Sequence, residues 1–340
     1  MKRVTSFDVA AKAGVSRSVV SAVLNGTPGI GVSEEKRRAV LQAIEELNYV
    51  VDAQAQGMRT GRSRCIAACG DLRNPLFAQM LEGLQKACAE QGYHVLLYGG
   101  TQLASDRQGL VELFLQRRID GIVTKDSTSF QDDEWRQQVE CHRIPYVSVE
   151  GYPEAAEVAS IQMDYVQSIR TALDYAWSKL GKPLTYVELY NGPEHRPNWG
   201  DRQRTEAYAD WMRERGMEPR IRVKPQAEWP EDSGWWRELL RSGPEAPGCL
   251  TNWSRGAVSL YRAAFETGMR IGQDFFVMAA DNTERLNAGL VPSLSAVEVP
   301  YAEMGEAAGN RLIEYIEERR ERTDTARIWL PAKLMARESL

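Results

Sequence analysis

The residues from Thr5 to Asn25 constrain the fold more than any other stretch, because they predict two short helices joined by a tight turn. Thr5, followed three residues later by Asp8, forms a capping-box start for the first helix. Gly14 permits a sharp turn, since glycine adopts left-handed backbone conformations without a steric cost. Ser16 can then cap a second helix, whose apolar residues recur at helical spacing.

The second helix of this pair has an outer side made of small and polar residues. The residues expected there are Arg17, Ser18, Ser21, Ala22 and Asn25. A helix with such small side chains can lie flat in a DNA major groove, as the second helix of a helix-turn-helix does. Two helices of an ordinary bundle would show the same apolar pattern. Because the turn, both helix starts and the outer side agree, the pattern favours a DNA-binding helix-turn-helix.

Three segments of the first 63 residues resemble the LacI/GalR (lactose/galactose repressor) family of bacterial transcription factors. They are FDVAAKAGVSRSVVSAVLNG, VSEEKRRAVLQAIEELNYV and DAQAQGMRTGRS. The resemblance implies a helix-turn-helix headpiece over residues 1–50, a hinge segment over 51–63 and an effector-binding and dimerisation core over 64–340. We expect the third headpiece helix to turn four apolar residues inward: Val40, Leu41, Ile44 and Leu47.

The distribution of charge agrees with a DNA-binding headpiece, although the net charge of the whole chain is −5. Residues 1–64 contain ten Lys and Arg against six Asp and Glu, so the rest of the chain is strongly acidic. A small basic head on an acidic body is typical of a protein whose head contacts phosphates and whose body does not. At 340 residues, the chain has room for two or three domains.

The sequence also predicts where the protein resides. No continuous apolar segment follows the basic residues at the start, so we expect no signal peptide. No run of about twenty apolar residues occurs, which argues against a membrane span. The five cysteines are odd in number and lack the paired spacing of metal ligands. These features predict a cytoplasmic protein without a metal or other cofactor.

From Cys65 onward, short apolar runs alternate with amphipathic helical segments, which is the pattern of βαβ units in a parallel sheet. Together with the resemblance, this predicts an all-α headpiece joined to a two-lobed α/β core like a type I periplasmic binding protein. The two doubly wound, parallel-sheet subdomains would be linked by three crossovers. The first would comprise about 64–162 and 293–323, and the second about 163–292 and 324–340.

The resemblance implies which headpiece residues contact DNA. The base-reading positions fall on Arg17, Ser18 and Ala22, and Arg17 could instead bind a phosphate. Ala22 replaces the arginine of most members and could offer only an apolar contact, so the operator should differ from the common half-site. Phosphate contacts are expected from Thr5, Ser16, Ser21 and Asn25. In the hinge, Ala55 and Met58 would contact the minor groove, with Met58 as an apolar wedge; a passive linker is the alternative.

Several core motifs resemble the effector pocket of the family. NPLF, RQRTEAY, AEWPEDSG, CLTNW and MAADN place pocket residues at Phe77, Arg204, Trp229, Asn252 and Asp281. Glu150 takes the place of a frequent aspartate, and Lys125 ends a strand where a neutral side chain is usual. Arginine, amide and carboxylate groups with aromatic rings are the chemistry of sugar binding. The extra ammonium of Lys125 suggests a carboxylated or phosphorylated sugar.

The predicted fold is compatible with three classes of function: a transcription regulator, a solute-binding protein and an enzyme. A homodimeric transcription regulator, most often a repressor, would bind pseudo-palindromic operator DNA under the control of a small-molecule effector. A regulator controlled by a partner protein is the variant of this class. A solute-binding protein is disfavoured by the added headpiece and the missing signal peptide. An enzyme is disfavoured because the three histidines are scattered and no phosphate loop or nucleophile elbow is present.

Overall fold

The structure is a computed structural model of the 340-residue chain. It describes residues 4–25, 31–51, 57, 61–99, 103–192, 194–226, 233–241, 247–283 and 285–340. The chain separates into two compact units, a headpiece over residues 1–63 and a core over residues 64–340. Among the described residues, no helix is long and apolar enough to cross a membrane. No cluster of His, Cys, Asp and Glu in this part of the chain could hold a metal ion.

The headpiece contains the helix pair and the third helix that the sequence predicts. They are α1 (Ser6–Ala13), α2 (Arg17–Asn25) and α3 (Glu34–Glu46). The Asp8 carboxylate accepts the backbone N–H of Thr5 at 2.8 Å, which closes the start of α1. Gly14 ends α1 with a φ of 66°, in the left-handed region where glycine carries no steric penalty. The Ser16 hydroxyl accepts the Val19 N–H at 3.4 Å at the start of α2.

The interior of the headpiece corrects two predictions about which way side chains face. Its fully buried residues include Val9, Val20 and Val40. Leu41 is 51% exposed, and Ala43 packs inward in its place. Val40 and Ala43 are three positions apart in the sequence, so they lie on the same face of α3. Ala22 is only 4% exposed, contrary to its predicted place on the outer side of α2. The buried face of α2 is therefore wider than its pattern of valine and leucine predicts.

The core consists of two lobes, each built on a twisted sheet with helices on both faces. The first sheet contains β1 (Cys65–Cys69), β2 (His94–Tyr98), β3 (Gly121–Lys125), β4 (Tyr146–Val149), β5 (Ser160–Met163) and β11 (Ile328–Leu330). Their order is β11-β5-β4-β3-β1-β2, and all neighbours are parallel. The helices of this lobe are α4 (Pro75–Glu90), α5 (Leu103–Leu115), α6 (Asp133–Cys141) and α11 (Tyr301–Ile316).

The second lobe repeats this plan. Its strands are β6 (Thr185–Asn191), β7 (Ile221–Gln226), β8 (Gly248–Thr251), β9 (Phe276–Ala279), β10 (Ser295–Glu298) and β12 (Lys333–Met335). Their order is β12-β10-β9-β8-β6-β7, and only β12 runs antiparallel to its neighbour. Its helices are α7 (Tyr165–Leu180), α8 (Trp199–Arg213), α9 (Gly234–Leu240) and α10 (Ser254–Thr267).

The chain crosses between the lobes three times, as predicted: after β5, after β10 and after β11. Two of the predicted boundaries are wrong. The sequence predicts that the segment from about residue 293 belongs to the first lobe, but β10 pairs with β9 in the second sheet. It predicts that the segment from about residue 324 belongs to the second lobe, but β11 pairs with β5 in the first sheet. Both strands are short, and β11 pairs with a strand that is far from it along the chain. A local pattern in the sequence therefore does not indicate which sheet they join.

Helices α4 and α11 pack together closely on one face of the first sheet. A Cβ atom on Gly305 would lie 1.9 Å from the carbonyl oxygen of Met80, and one on Gly83 would lie 1.7 Å from that of Ala302. Glycine at both positions therefore lets the two backbones touch. This contact fixes the start of α11, which matters for the cleft described below.

Candidate functional site

The outer surface of the headpiece presents a cation beside an aromatic ring. Arg17 and Ser18, at the start of α2, are both exposed. The Arg17 guanidinium carbon lies 3.9 Å from the centroid of the Phe7 ring, which is itself 62% exposed. This stacking holds the guanidinium near one orientation. Phe7 is not among the residues predicted from the sequence. The pattern that could have indicated it is a large apolar residue on the otherwise polar side of α1.

The other residues predicted to contact DNA differ in how exposed their side chains are. Thr5 is exposed, and its hydroxyl donates to Asp8 at 2.7 Å. The hydroxyls of Ser16 and Ser18 lie 2.8 Å apart, and Ser21 is partly buried. Asn25 is the last residue of α2, but its side chain lies outside the described residues, as do Ala55 and Met58 of the hinge.

A cleft of about 750 Å³ lies between the two lobes of the core. It opens at the carboxyl ends of the strands, which is where doubly wound α/β sheets bind ligands. The first lobe contributes residues that follow or end β1, β3 and β4, among them Asn74, Lys125 and Glu150. The second lobe contributes residues that follow β8 and β9, including Trp253 and Asp281. Polar groups from both lobes therefore face one cleft.

Lys125 and Glu150 form a buried ion pair on the first-lobe side of the cleft. The Lys125 ammonium lies 2.5 Å from Glu150 Oε2, and it also donates to the carbonyl oxygen of Asp126 at 2.9 Å. Burial opposes ionisation of Glu150, but Lys125 and two tyrosine hydroxyls outweigh this and lower the pKa of the carboxyl. The backbone of Glu150 has a φ of 69°, a left-handed conformation that costs roughly 1–2 kcal/mol for a residue with a Cβ. That strained turn directs the carboxylate into the cleft.

The two hydroxyl donors are Tyr165 and Tyr301, which were not predicted from the sequence. Both donate to Oε1 of Glu150, Tyr301 at a distance of 2.8 Å. Both line the cleft, and each is the first residue of its helix, α7 and α11 respectively. No local pattern marks these tyrosines, because their shared partner is distant in sequence.

Arg204 and Asp281 lie on the second-lobe side, as predicted. Arg204 pairs with Asp201 at 3.2 Å, and its guanidinium carbon lies 4.5 Å from the Tyr165 ring centroid. Asp281 accepts the Ser254 N–H at 2.5 Å, and burial raises the pKa of its carboxyl. Arg204 lines the cleft, and its buried Nε has no hydrogen-bond partner among the described residues.

Two of the predicted pocket residues, Phe77 and Asn252, do not line the cleft. Phe77 is 1% exposed and packs in the first-lobe core against Gly70, while Leu76 faces the cleft instead. Asn252 is fully buried and binds both the N–H and the carbonyl oxygen of Leu189 at 2.9 Å, so it ties β6 to β8. The neighbouring Trp253 lines the cleft. Trp229 lies outside the described residues.

Hydrogen bonds join the lobes on two sides of the cleft. On one side, Thr128 donates to the Asn198 side chain at 2.7 Å, and the Trp199 N–H donates to Ser129 at 2.6 Å. On the other side, the Gln79 amide donates to the Thr283 carbonyl oxygen at 3.1 Å. Any relative movement of the lobes must break these hydrogen bonds or replace them with others.

Comparison with known proteins identifies both units. Residues 7–52 match the model of bacterial regulatory proteins of the lacI family, and residues 184–340 match that of the periplasmic binding protein-like domain. Catabolite control protein A of Priestia megaterium is 24% identical over 339 residues, covering 99% of both chains. The ribose operon repressor of Escherichia coli K12 is 27% identical over 317 residues, covering 92% of this chain and 93% of that protein.

Solved structures show the same fold. The Lac repressor dimer bound to operator and the anti-inducer ONPF superposes with a TM-score of 0.76 at 21% identity, covering 99% of both chains. The complex of the transcriptional regulator CelR with cellobiose gives 0.65 at 23% identity, covering 99% of this chain and all of that one. The prediction that the protein is not an enzyme agrees with the family, whose members are regulators. The chain belongs to the LacI family, as a DNA-binding transcriptional regulator with a periplasmic-binding-protein-like effector domain.

Proposed function

We propose that this protein acts as a homodimeric repressor at a two-fold symmetric operator and that a neutral, polyhydroxylated small molecule, a sugar or sugar derivative, controls it from the cleft. The observation that carries the proposal is the cleft itself. It combines the guanidinium of Arg204, the carboxylate of Asp281 and the indole of Trp253. Forked donors, acceptors and a flat ring together suit hydroxyl groups and the C–H face of a sugar.

Charge in the cleft argues for a neutral ligand rather than the carboxylated or phosphorylated sugar suggested by the sequence. The ammonium of Lys125 is balanced by Glu150 at 2.5 Å, and the guanidinium of Arg204 is balanced by Asp201 at 3.2 Å. An anionic ligand that binds either of these two cations would have to displace its buried carboxylate. The cellobiose in the CelR complex and the name of the ribose operon repressor support the same class of ligand.

On the DNA side, we propose that Arg17 and Ser18 read bases and that Thr5, Ser16 and Ser21 bind phosphates. Arg17 is exposed and stacked on Phe7, so little side-chain freedom is lost when it contacts a guanine. Ala22 is not proposed as a base contact, because its side chain is buried. The operator bound to the Lac repressor dimer supports a symmetric site read by two headpieces.

Selection of genomic DNA fragments by the purified protein tests the DNA part. We expect enrichment of one pseudo-palindrome, and we expect Arg17→Ala to weaken binding to it by about tenfold or more, as for the loss of one bidentate base contact. Lys86→Gln, in the core, is the matched control and should leave affinity unchanged. The absence of any enriched site would contradict the proposal.

A thermal-shift screen with neutral, carboxylated and phosphorylated sugars tests the effector part. A neutral sugar should raise the melting temperature and change operator affinity, and Asp281→Ala should abolish both effects. If only anionic sugars bind, and Lys125→Ala removes their binding, the neutral class is wrong. If cells show regulation while the purified protein responds to no small molecule, control by a partner protein replaces this proposal.

A further inference from the structure

Two tyrosines that follow crossings between the lobes donate to one carboxylate oxygen. Tyr165 begins α7 directly after the crossing from β5, and Tyr301 begins α11 after the crossing from β10. Both hydroxyls donate to Glu150 Oε1. A single buried atom, just after β4, therefore holds two of the three segments that cross between the lobes.

The carboxylate that receives these hydroxyls is itself held firmly. Its other oxygen lies 2.5 Å from the Lys125 ammonium, and its backbone occupies the left-handed region. Burial raises the pKa of Tyr165 and of Tyr301 well above the ordinary value, so both remain protonated and can only donate to Glu150. Lys125, Glu150 and both tyrosines all line the cleft, where a ligand can reach them.

Tyr165 also belongs to both lobes at once. Its ring packs in the core of the first lobe, whereas Ile169 and Leu173, further along α7, pack in the core of the second. Arg204 of the second lobe lies over the face of the same ring. A rotation of one lobe against the other must therefore move Tyr165 relative to Glu150, to Arg204 or to both.

We infer that the hydroxyls of Tyr165 and Tyr301 are a latch that couples occupancy of the cleft to the relative orientation of the lobes. A ligand hydroxyl that donates to Glu150 competes with the tyrosine donors, weakens the latch and lets the crossing segments move. The tyrosines are positioning residues, since they act on the lobes through Glu150. The consequence for DNA rests on the proposed function, while the latch itself does not.

Hydrogen exchange in the full-length, ligand-free protein tests the latch. The reporters are the amide of Asp164, which donates to the Leu330 carbonyl oxygen, and the amide of Tyr301, which donates to that of Val299. In the double variant Tyr165→Phe, Tyr301→Phe, we expect peptides containing these amides to exchange at least tenfold faster. The matched control is Tyr208→Phe, which removes a buried hydroxyl donating to Leu184 at 2.9 Å within the second lobe. The control should leave both peptides unchanged.

Operator affinity of the same ligand-free proteins tests the coupling. We expect the double variant to shift affinity at least fivefold and Tyr208→Phe less than twofold. Equal exchange in the double variant and the control would overturn the latch. Faster exchange with unchanged operator affinity would overturn its regulatory role. If the wild-type protein binds no operator, the proposed function fails, and the exchange measurement still decides the latch.

Discussion

At the scale of single residues, the cleft is lined by charges that compensate each other out of water. Lys125 and Glu150 are both largely buried, so each ionised group relies on the other. Removing one partner of such a pair leaves an uncompensated charge in a poorly solvated site. Removing both together leaves no uncompensated charge.

The pair can therefore be tested by combining substitutions. Glu150→Gln should lower the free energy of unfolding by about 3–5 kcal/mol, because the Lys125 ammonium stays buried without a counter-charge. Adding Lys125→Met should recover a large part of that loss. Urea unfolding of the wild type, both single variants and the double variant measures the coupling.

An exposed pair supplies the control for this cycle. Asp71 and Arg73 also line the cleft, but Arg73 is largely solvent-exposed. Asp71→Asn should leave the unfolding midpoint unchanged, since exposed ion pairs contribute little. A double variant at 125 and 150 that is less stable than Glu150→Gln alone would show that the two charges do not compensate each other.

The sequence was informative about this site where a motif marks a strand end, as at Lys125, Glu150 and Asp281, and where a motif lies within a helix, as at Arg204. Lys125, Glu150, Arg204 and Asp281 lie in the cleft as predicted. Whether a residue just after a strand faces the cleft or the core depends on the rotation of the next helix. The adjacent Leu76 and Phe77 of α4 show this, since only Leu76 reaches the cleft. Tyr301 meets Glu150 across 151 residues, and no local pattern records that contact.

At the scale of elements, glycines act in two distinct ways that substitution can separate. Gly305→Ala places a Cβ 1.9 Å from the Met80 carbonyl oxygen, so α4 and α11 must move apart, at a cost of about 1–3 kcal/mol or more. Gly14→Ala meets no neighbouring atom within 4 Å, but its φ of 66° should cost the headpiece roughly 1–2 kcal/mol. Thermal unfolding, followed separately for the transition of the headpiece and that of the core, measures both losses of stability.

Gly289→Ala is the matched control, because it meets no atom within 4 Å and has no left-handed φ. It should change stability by less than about 0.5 kcal/mol. If Gly305→Ala behaved like this control, the close contact of α4 with α11 would not be needed for stability.

Elements were predictable from the sequence to the extent that local patterns determine them. The capping residues and the alternation of apolar runs with amphipathic helices predicted the helix pair and the two parallel sheets. Membership of β10 and β11 was not predictable, because both are strands of three or four residues whose sheets are decided by long-range pairing. A short apolar run fits either sheet equally well.

At the scale of the whole molecule, the uneven distribution of charge governs how DNA binding responds to salt. The chain as a whole carries −5, while residues 1–64 have an excess of Lys and Arg. Binding by a basic headpiece releases counterions from DNA, so affinity for the operator should fall steeply with salt. For 6–10 phosphate contacts, we expect operator affinity to fall by a factor of about 10³–10⁵ between 50 and 200 mM salt.

Fluorescence anisotropy with a labelled operator measures this slope. Lys86→Gln, which removes a cation from the core, should leave the slope unchanged, whereas neutralising a headpiece cation that contacts a phosphate should reduce it by about one. A slope near zero would mean that the headpiece does not bind the DNA backbone.

The three crossings between the lobes also determine which parts of the protein can exist alone. A fragment ending at Met163 would lack α11, which covers a face of the first sheet, and β11, which closes its edge. Neither lobe is a continuous stretch of chain, so neither can be excised by cutting at one point. The core should therefore unfold as one cooperative unit, in a single transition. The headpiece has its own buried core and is the part that can be produced separately.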